Sequence, residues 1–128
     1  MALLDQGEAV VLGLLKNLTL YVGLCENEPG EDDTLETITE LTDSGYSRKQ
    51  ITLGDVGTDE QGTFITNSND IAFGPFSSGH NISYYFITDV ETGTEGNLIF
   101  GGQLQQTKSV GAGDSLVIPA GSLKIYAS

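Results

Sequence analysis

Side chains able to do covalent or metal chemistry are scarce in this sequence. One cysteine, Cys25, and one histidine, His80, stand among 128 residues. Cys25 lies in an apolar run, where a lone thiol is expected as a small buried hydrophobe. Thiolate catalysis needs a base beside the sulfur, and His80 belongs to the segment Ser77-Ser78-Gly79-His80-Asn81, which reads as a turn. A Ser/His/Asp triad would have to use the same histidine, and no pattern around it marks a positioned base. One Cys and one His fall short of the ligands a zinc site needs. Neither a Gly-x-Ser-x-Gly elbow nor a phosphate-cradling Gly-x-x-x-x-Gly-Lys-Ser/Thr loop is present. The chain therefore reads as non-enzymatic, with no catalytic, cofactor-binding or metal-binding residue assigned.

Carboxylates are the abundant reactive group. Eighteen Asp and Glu against five Lys and Arg give a formal net charge of −13. Nucleic-acid binding rests on cations that neutralise phosphates, so no direct nucleic-acid contact is expected. The turns Asp55-Val-Gly-Thr-Asp-Glu-Gln-Gly62 and Asp89-Val-Glu-Thr-Gly-Thr-Glu95 offer oxygens to a hard cation, but neither has EF-hand spacing. Asp and Gly are favoured in such turns for conformational reasons alone. Carboxylate pairs for glycoside hydrolysis would need geometry that loop-borne acids do not specify, and tryptophan is absent.

These residues must be positioned by a small, mostly β framework. Seventeen glycines and a single cysteine predict short strands, tight turns and a core without disulfides, as suits a reducing cytosol. Residues 3–16 are the one helix candidate, with Asp5 as N-cap, Glu8 completing a capping box and Lys16 at the C-terminal end. Val10, Val11, Leu12, Leu14 and Leu15 make that helix apolar nearly all round, so it calls for cover on more than one side. Leu18, Leu20, Val22 and Leu24 then alternate with Thr19, Tyr21, Gly23 and Cys25 as a strand. Residues 26–43 hold eight of the acids and read as an exposed, mobile loop with one short edge strand near Leu35 to Ile38. Further strands are expected near 46–53, 62–67, 70–75, 81–90, 97–106, 114–118 and 122–127. Leu53 to Gly57 is expected to begin a loop, the 81–90 strand to be central with Ile82, Tyr84 and Phe86 on one face, and 97–106 to be its hairpin partner. The expected fold is one domain over 1–128: a helix over 3–16 and a jelly-roll-like β-sandwich of about eight strands over 18–128.

No stretch reaches the ~18 apolar residues of a membrane span. The opening residues lack the basic region of a signal peptide, so no membrane contact or signal-peptide export is expected, and the sequons at Asn17 and Asn81 carry no meaning.

Several segments, in order, resemble a family of small structural proteins of tailed bacteriophages. They are the apolar helix followed by Leu18-Thr-Leu-Tyr-Val-Gly-Leu24, the strand Gly45-Tyr46-Ser47-Arg48-Lys49-Gln50-Ile51-Thr52-Leu53, and Asn69-Asp-Ile-Ala-Phe-Gly-Pro75. Phe86-Ile-Thr-Asp89 with Gly96-Asn-Leu-Ile-Phe-Gly-Gly102, and Gly113-Asp-Ser-Leu-Val-Ile-Pro-Ala-Gly-Ser-Leu123, complete the likeness. The acidic stretch from Glu26 to Glu40 departs from it. The resemblance implies a virion component assembled in the bacterial cytoplasm, a head decoration (cement) protein before a tail or fibre module that binds a host glycan. It implies a homo-oligomer, expected as a trimer, in contact with the major capsid protein or other virion proteins. The apolar helix and the patches left by Tyr21, Tyr85 and Tyr126 are expected to supply subunit contacts, while the sequence leaves the partner-binding surface unassigned.

Overall fold

A computed structural model describes residues 4–127. It opens with helix α1, Asp5–Leu14, tightening into a single 3₁₀ turn over Leu15–Asn17. Leu3, the expected first residue, lies outside the described range. The N-cap is Leu4, extended at φ −80°, ψ 165°, and it makes no side-chain cap bond. Asp5 is therefore already helical, one residue too late to cap, although its charge still meets the positive end of the helix. The expected capping box does not form: Glu8 donates its N–H to the Leu4 carbonyl, and its side chain is buried. Lys16 falls in the 3₁₀ turn and not in α1.

Among the described residues nine strands follow: β1 Leu20–Cys25, β2 Lys49–Ile51, β3 Leu53–Asp59, β4 Gly62–Asn67, β5 Ile71–Phe73, β6 His80–Thr88, β7 Leu98–Val110, β8 Leu116–Ile118 and β9 Lys124–Tyr126. They form three antiparallel sheets, β2-β1-β6-β7, β3-β4-β9 and β5-β8. Inward side chains of all three meet in one core. Val22, Leu24 and Ile87 come from the large sheet, Ile65 and Ile125 from the second, and Phe73 and Leu116 from the third. This is a mostly-β sandwich with one short N-terminal helix, whose Leu12 is fully buried in the same core.

The expected 46–53 strand is really two pieces. β2 ends at Ile51, and the chain changes sheets at Thr52, whose N–H donates to Asn69 Oδ1 at 3.0 Å in place of a ladder bond. Leu53 to Gly57 is not a loop but the start of β3. Gly57 holds its place because the Phe64 ring covers it from β4, 2.9 Å from where a Cβ would stand. β5 is shorter than expected because Gly74 adopts φ +105° and Pro75 has no N–H to extend the ladder. β8 and β9 flank the Pro119-Ala120-Gly121 turn but pair with β5 and β4, so that turn is a corner between sheets.

β6 is central, between β1 and β7, and the pairing of His80 with Val110 and Thr88 with Leu98 makes β7 its hairpin partner. Its two-face alternation is broken by a bulge between Ile82 and Tyr84, which pair with Lys108 and Gln103. Ile82 therefore joins Tyr85 and Ile87 in the main core instead of sharing a face with Phe86. Phe86 lies in a second cluster with Cys25, Leu35 and Ile38.

That second cluster corrects the reading of residues 26–43 as a loose loop. Leu35, Ile38 and Leu41 are buried, and the backbone returns to β1 through Glu26 N–H to Thr39 O and Leu41 N–H to Leu24 O. No strand forms near Leu35 to Ile38: Thr34 O accepts from both the Thr37 and Ile38 N–H groups, closing a turn. A spacing of three puts Leu35 and Ile38 on one side of such a turn, where both reach Phe86. Glu26, Glu28, Glu31, Asp32 and Glu36 stay exposed on a segment pinned by its apolar residues, whereas Glu40 and Asp43 turn inward to hydrogen-bond partners.

Candidate functional site

Three sheet edges are left without a strand neighbour on one flank of the sandwich: β7, β8 and β9. Between them opens a cleft of about 1070 Å³. Tyr85, Leu104, Leu116 and Leu123 line it but are nearly sealed in the core, so its accessible surface mixes polar groups with Val117, 51 % exposed, and the half-buried Phe100. Gln103, Gln105 and Gln106 come from the bulged part of β7, with Gln61 from the β3–β4 turn opposite. The bulge sets four residues of β7 against Ser83 alone, and Thr107 Oγ1 lies 2.8 Å from Ser83 Oγ at its end. Gly102 allows the strand to pass over Tyr85, whose ring lies 2.9 Å from where a Cβ would be. Gly101 presses its other face on Pro29.

A charge cluster borders the cleft at the β3–β4 turn. Asp59 Oδ2 accepts from the Tyr126 hydroxyl at 2.7 Å and from Lys124 Nζ at 3.0 Å, and Oδ1 accepts from the Gln61 N–H at 2.8 Å. These donors, the Tyr126 hydroxyl first, hold the Asp59 carboxyl down at about 2. Their own hydrogen bonds to Asp59 raise Lys124 and Tyr126 above their ordinary values. The Lys124 ammonium sits 4.5 Å from the Phe64 ring centroid, and Phe64 packs on Tyr126 at 5.6 Å. Asp59 is thus committed to internal donors, while Asp55 stands exposed on β3. In the other acidic turn Asp89 takes both the backbone N–H and the side-chain amide of Asn97, each at 2.8 Å. Among the described residues no three His, Cys, Asp or Glu converge as a metal-binding group.

His80 is the first residue of β6, at the end of the expected turn, and the fold does bring Ser78 and Asp43 to it. Asp43 Oδ2 lies 2.8 Å from His80 Nε2, and Ser78 Oγ lies 3.4 Å from the same nitrogen. A relay needs the serine and the acid on opposite ring nitrogens; here both meet Nε2. Asp43 also accepts the N–H groups of Gly45, Ser77 and Ser78. His80 and then those amides hold its carboxyl far below the usual carboxylate range. The cluster ties the 43–46 turn to the start of β6. Cys25 is buried, and its thiol is pushed up to about 12 by burial, then by the charges of Glu40 and Asp33. At ordinary pH it is a neutral core side chain.

The Gly45-Tyr46-x-Arg48 segment has a clear structural task. β2 pairs with β1 only from Leu20 to Val22, which leaves the Leu24 N–H beyond the end of its partner. The Tyr46 hydroxyl accepts that N–H at 2.9 Å and donates to Glu40 Oε2 at 2.6 Å. Arg48 closes the group with two bonds to Glu40, at 3.0 and 2.9 Å, and one to the Val90 carbonyl. The acidic segment and β1 are joined through this group.

Of the tyrosines expected at subunit contacts, Tyr85 is buried in the core and unavailable, while Tyr21 and Tyr126 are half-buried. Apart from Val117 in the cleft, the exposed large apolar side chains lie at the N-terminal helix. Val10 and Leu14, one helical turn apart on α1, are 63 % and 61 % exposed, with Val11, Leu4 and Leu18 around them. The sequence pattern pointed to that strip. The cleft escaped sequence reading because its lining comes from separate strands, and the run Gln103-Leu-Gln-Gln106 was its one visible trace.

A family model described as podophage GP4 fiber I protein gp80 matches residues 15–126, which take in every strand from β1 to β9. No curated protein matches the chain. The chain belongs to that family of phage virion structural proteins.

Proposed function

From that membership, we propose that the chain is a non-enzymatic structural subunit of the phage fibre, assembled in the bacterial cytoplasm and joined to copies of itself. The observation that carries this reading is the family match over residues 15–126. The α1 strip supports self-association: five large apolar side chains exposed at one end of a protein of charge −13 are costly to leave in water. The helix surface there is nearly free of charge, so copies can meet on it while the acidic residues stay solvated. A closed ring of three copies is the arrangement we favour. The fibre description of the family favours the fibre over a capsid cement role, which remains the second reading and would place the major capsid protein opposite the same strip.

Two measurements test this. Labelling the subunit in intact particles and imaging them separates fibre from shell, and label over the whole capsid surface would transfer the proposal to the second reading. In sedimentation, the wild type should run as an oligomer and the Val10→Glu/Leu14→Glu variant as a folded monomer. A wild type that stays monomeric at high concentration would refute self-association.

A further inference from the structure

We infer that the cleft between β7, β8 and β9 is the docking groove for the α1 strip of a second copy. Each subunit then offers its helix to one neighbour and its cleft to the other. This rests on the self-association reading above and adds the surface that the strip meets. A closed ring of three joins unlike patches, since each copy meets its two neighbours through different faces. The strip supplies one patch, and the remaining exposed apolar surface points to the other. Among the described residues six large apolar side chains are exposed: five form the strip, and the sixth is Val117 in the cleft. Phe100, half-buried, adds apolar surface to the same cleft.

Charge selects the same surface. Only one of the eighteen acids, Asp114, falls within residues 96–128, which carry two of the five bases, Lys108 and Lys124. β7, β8 and β9 all come from that stretch. The β3–β4 turn brings Asp59 and Glu60 to the cleft, so the charges lining it cancel in a chain of net charge −13. Elsewhere two approaching copies would set acid against acid, a repulsion that this flank avoids. The strip is matched to it: between Glu8 and Glu26 the chain has no acid and one base, Lys16. Shape fits as well, with a convex helix facing a concave cleft. The strip from Leu4 to Leu18 is roughly 20 Å long at ~1.5 Å per residue, and the 13 residues of β7 run roughly 40 Å at ~3.3 Å each. Val10 and Leu14 have the one-turn spacing of a groove-docking helix. Gln6 and Asn17 are exposed around them, and the amides of Gln103, Gln105 and Gln106 can donate to and accept from theirs as a polar rim. Glu8 and Leu12 are buried against the subunit's own sheets, so α1 stays packed at home while its outer face is covered. A strand added to β7 fits less well, because two bulges break its ladder and bend its edge.

The test is sedimentation of two variants of the full chain, alone and mixed. Val10→Glu/Leu14→Glu spoils the strip and keeps the cleft. Val117→Glu/Gln105→Glu spoils the cleft and keeps the strip, and both of its positions are exposed. Each variant alone should associate about 100-fold more weakly than the wild type. Mixed in equal amounts, they should form a 1:1 pair of twice the monomer mass, because one intact strip and one intact cleft remain and the pair cannot grow. Circular dichroism checks that each is folded, and Gln105→Glu/Gln106→Glu repeats the test without touching β8. Cleft variants that oligomerise like the wild type would overturn the assignment and make the contact strip against strip. Two monomeric variants that do not pair on mixing would overturn it as well. Both results leave self-association standing, whereas a monomeric wild type removes that reading and this inference with it. None of these outcomes depends on where the subunit sits in the particle.

Discussion

Replacing Tyr46 with phenylalanine removes one oxygen atom and changes little else in shape. That oxygen supplies the partner of the Leu24 N–H, in a strand residue with no exposed surface, and donates to the Glu40 carboxylate. Leaving a buried N–H unpaired costs about 1–3 kcal/mol. The Glu40 bond adds less than an isolated charged bond would, since Arg48 still holds both carboxylate oxygens and 29 % of the Glu40 side chain is open to water. Together the expected loss is roughly 2–4 kcal/mol. At about 4 °C per kcal/mol for a chain of this length, the melting temperature should fall by roughly 8–16 °C. Urea denaturation followed by circular dichroism gives the free energy directly, and an unchanged m-value would show that the unfolded state is not responsible. Combining Tyr46→Phe with Glu40→Gln should cost less than the sum of the single losses, because the two residues share one network. Tyr21→Phe on the same strand is the control. If Tyr46→Phe melts within about 2 °C of the wild type, the hydroxyl is not completing the sheet and the account of this segment is wrong.

Two further perturbations follow from the same core. Burial, then the nearby Tyr126, raises Tyr85 from 10.0 to about 12, and Cys25 rises from 9.0 to about 12. Groups raised in the folded state stabilise it fully below their unfolded values and lose that contribution as pH climbs toward the folded ones. Stability should therefore decline from about pH 9 and fall steeply toward pH 12, with Tyr85 accounting for up to about 3 kcal/mol. Denaturant melts across this range check the slope, and Cys25 should stay unreactive to a thiol reagent until the chain unfolds. Fast labelling of the native protein at pH 8 would contradict its burial. Gly45→Ala would place a Cβ 1.7 Å from the Pro75 carbonyl oxygen, a backbone atom that cannot swing aside. The turn must move and release Asp43 from Ser77 and Ser78, so a loss of about 3 kcal/mol or more is expected in the same melts.

The sequence by itself determined much of this protein through local periodicity. Alternation made Leu20–Cys25 and the 62–67 segment strands, and the apolar run from Tyr84 to Ile87 marked the central strand. The apolar girth of the N-terminal helix announced a face that the monomer does not cover. The motifs shared with phage structural proteins placed it in the right family. What it could not decide were matters of one-residue phase and distant pairing. Asp5 looked like a cap because its side chain is suited to one, yet the backbone becomes helical a residue earlier. Gly54, Asp55 and Gly57 looked like a loop because the Phe64 ring that covers Gly57 comes from another strand. The acidic segment looked mobile because charge dominates its composition, while Leu35, Ile38 and Leu41 find their cover on Phe86 and β1 only after the sheet has formed. The cleft belongs to the same class: its glutamines, tyrosines and lysines become one surface only where three sheet edges meet. Periodicity is written in neighbours along the chain, whereas a site assembled from β7, β8 and β9 depends on contacts between residues far apart in sequence, which only packing fixes.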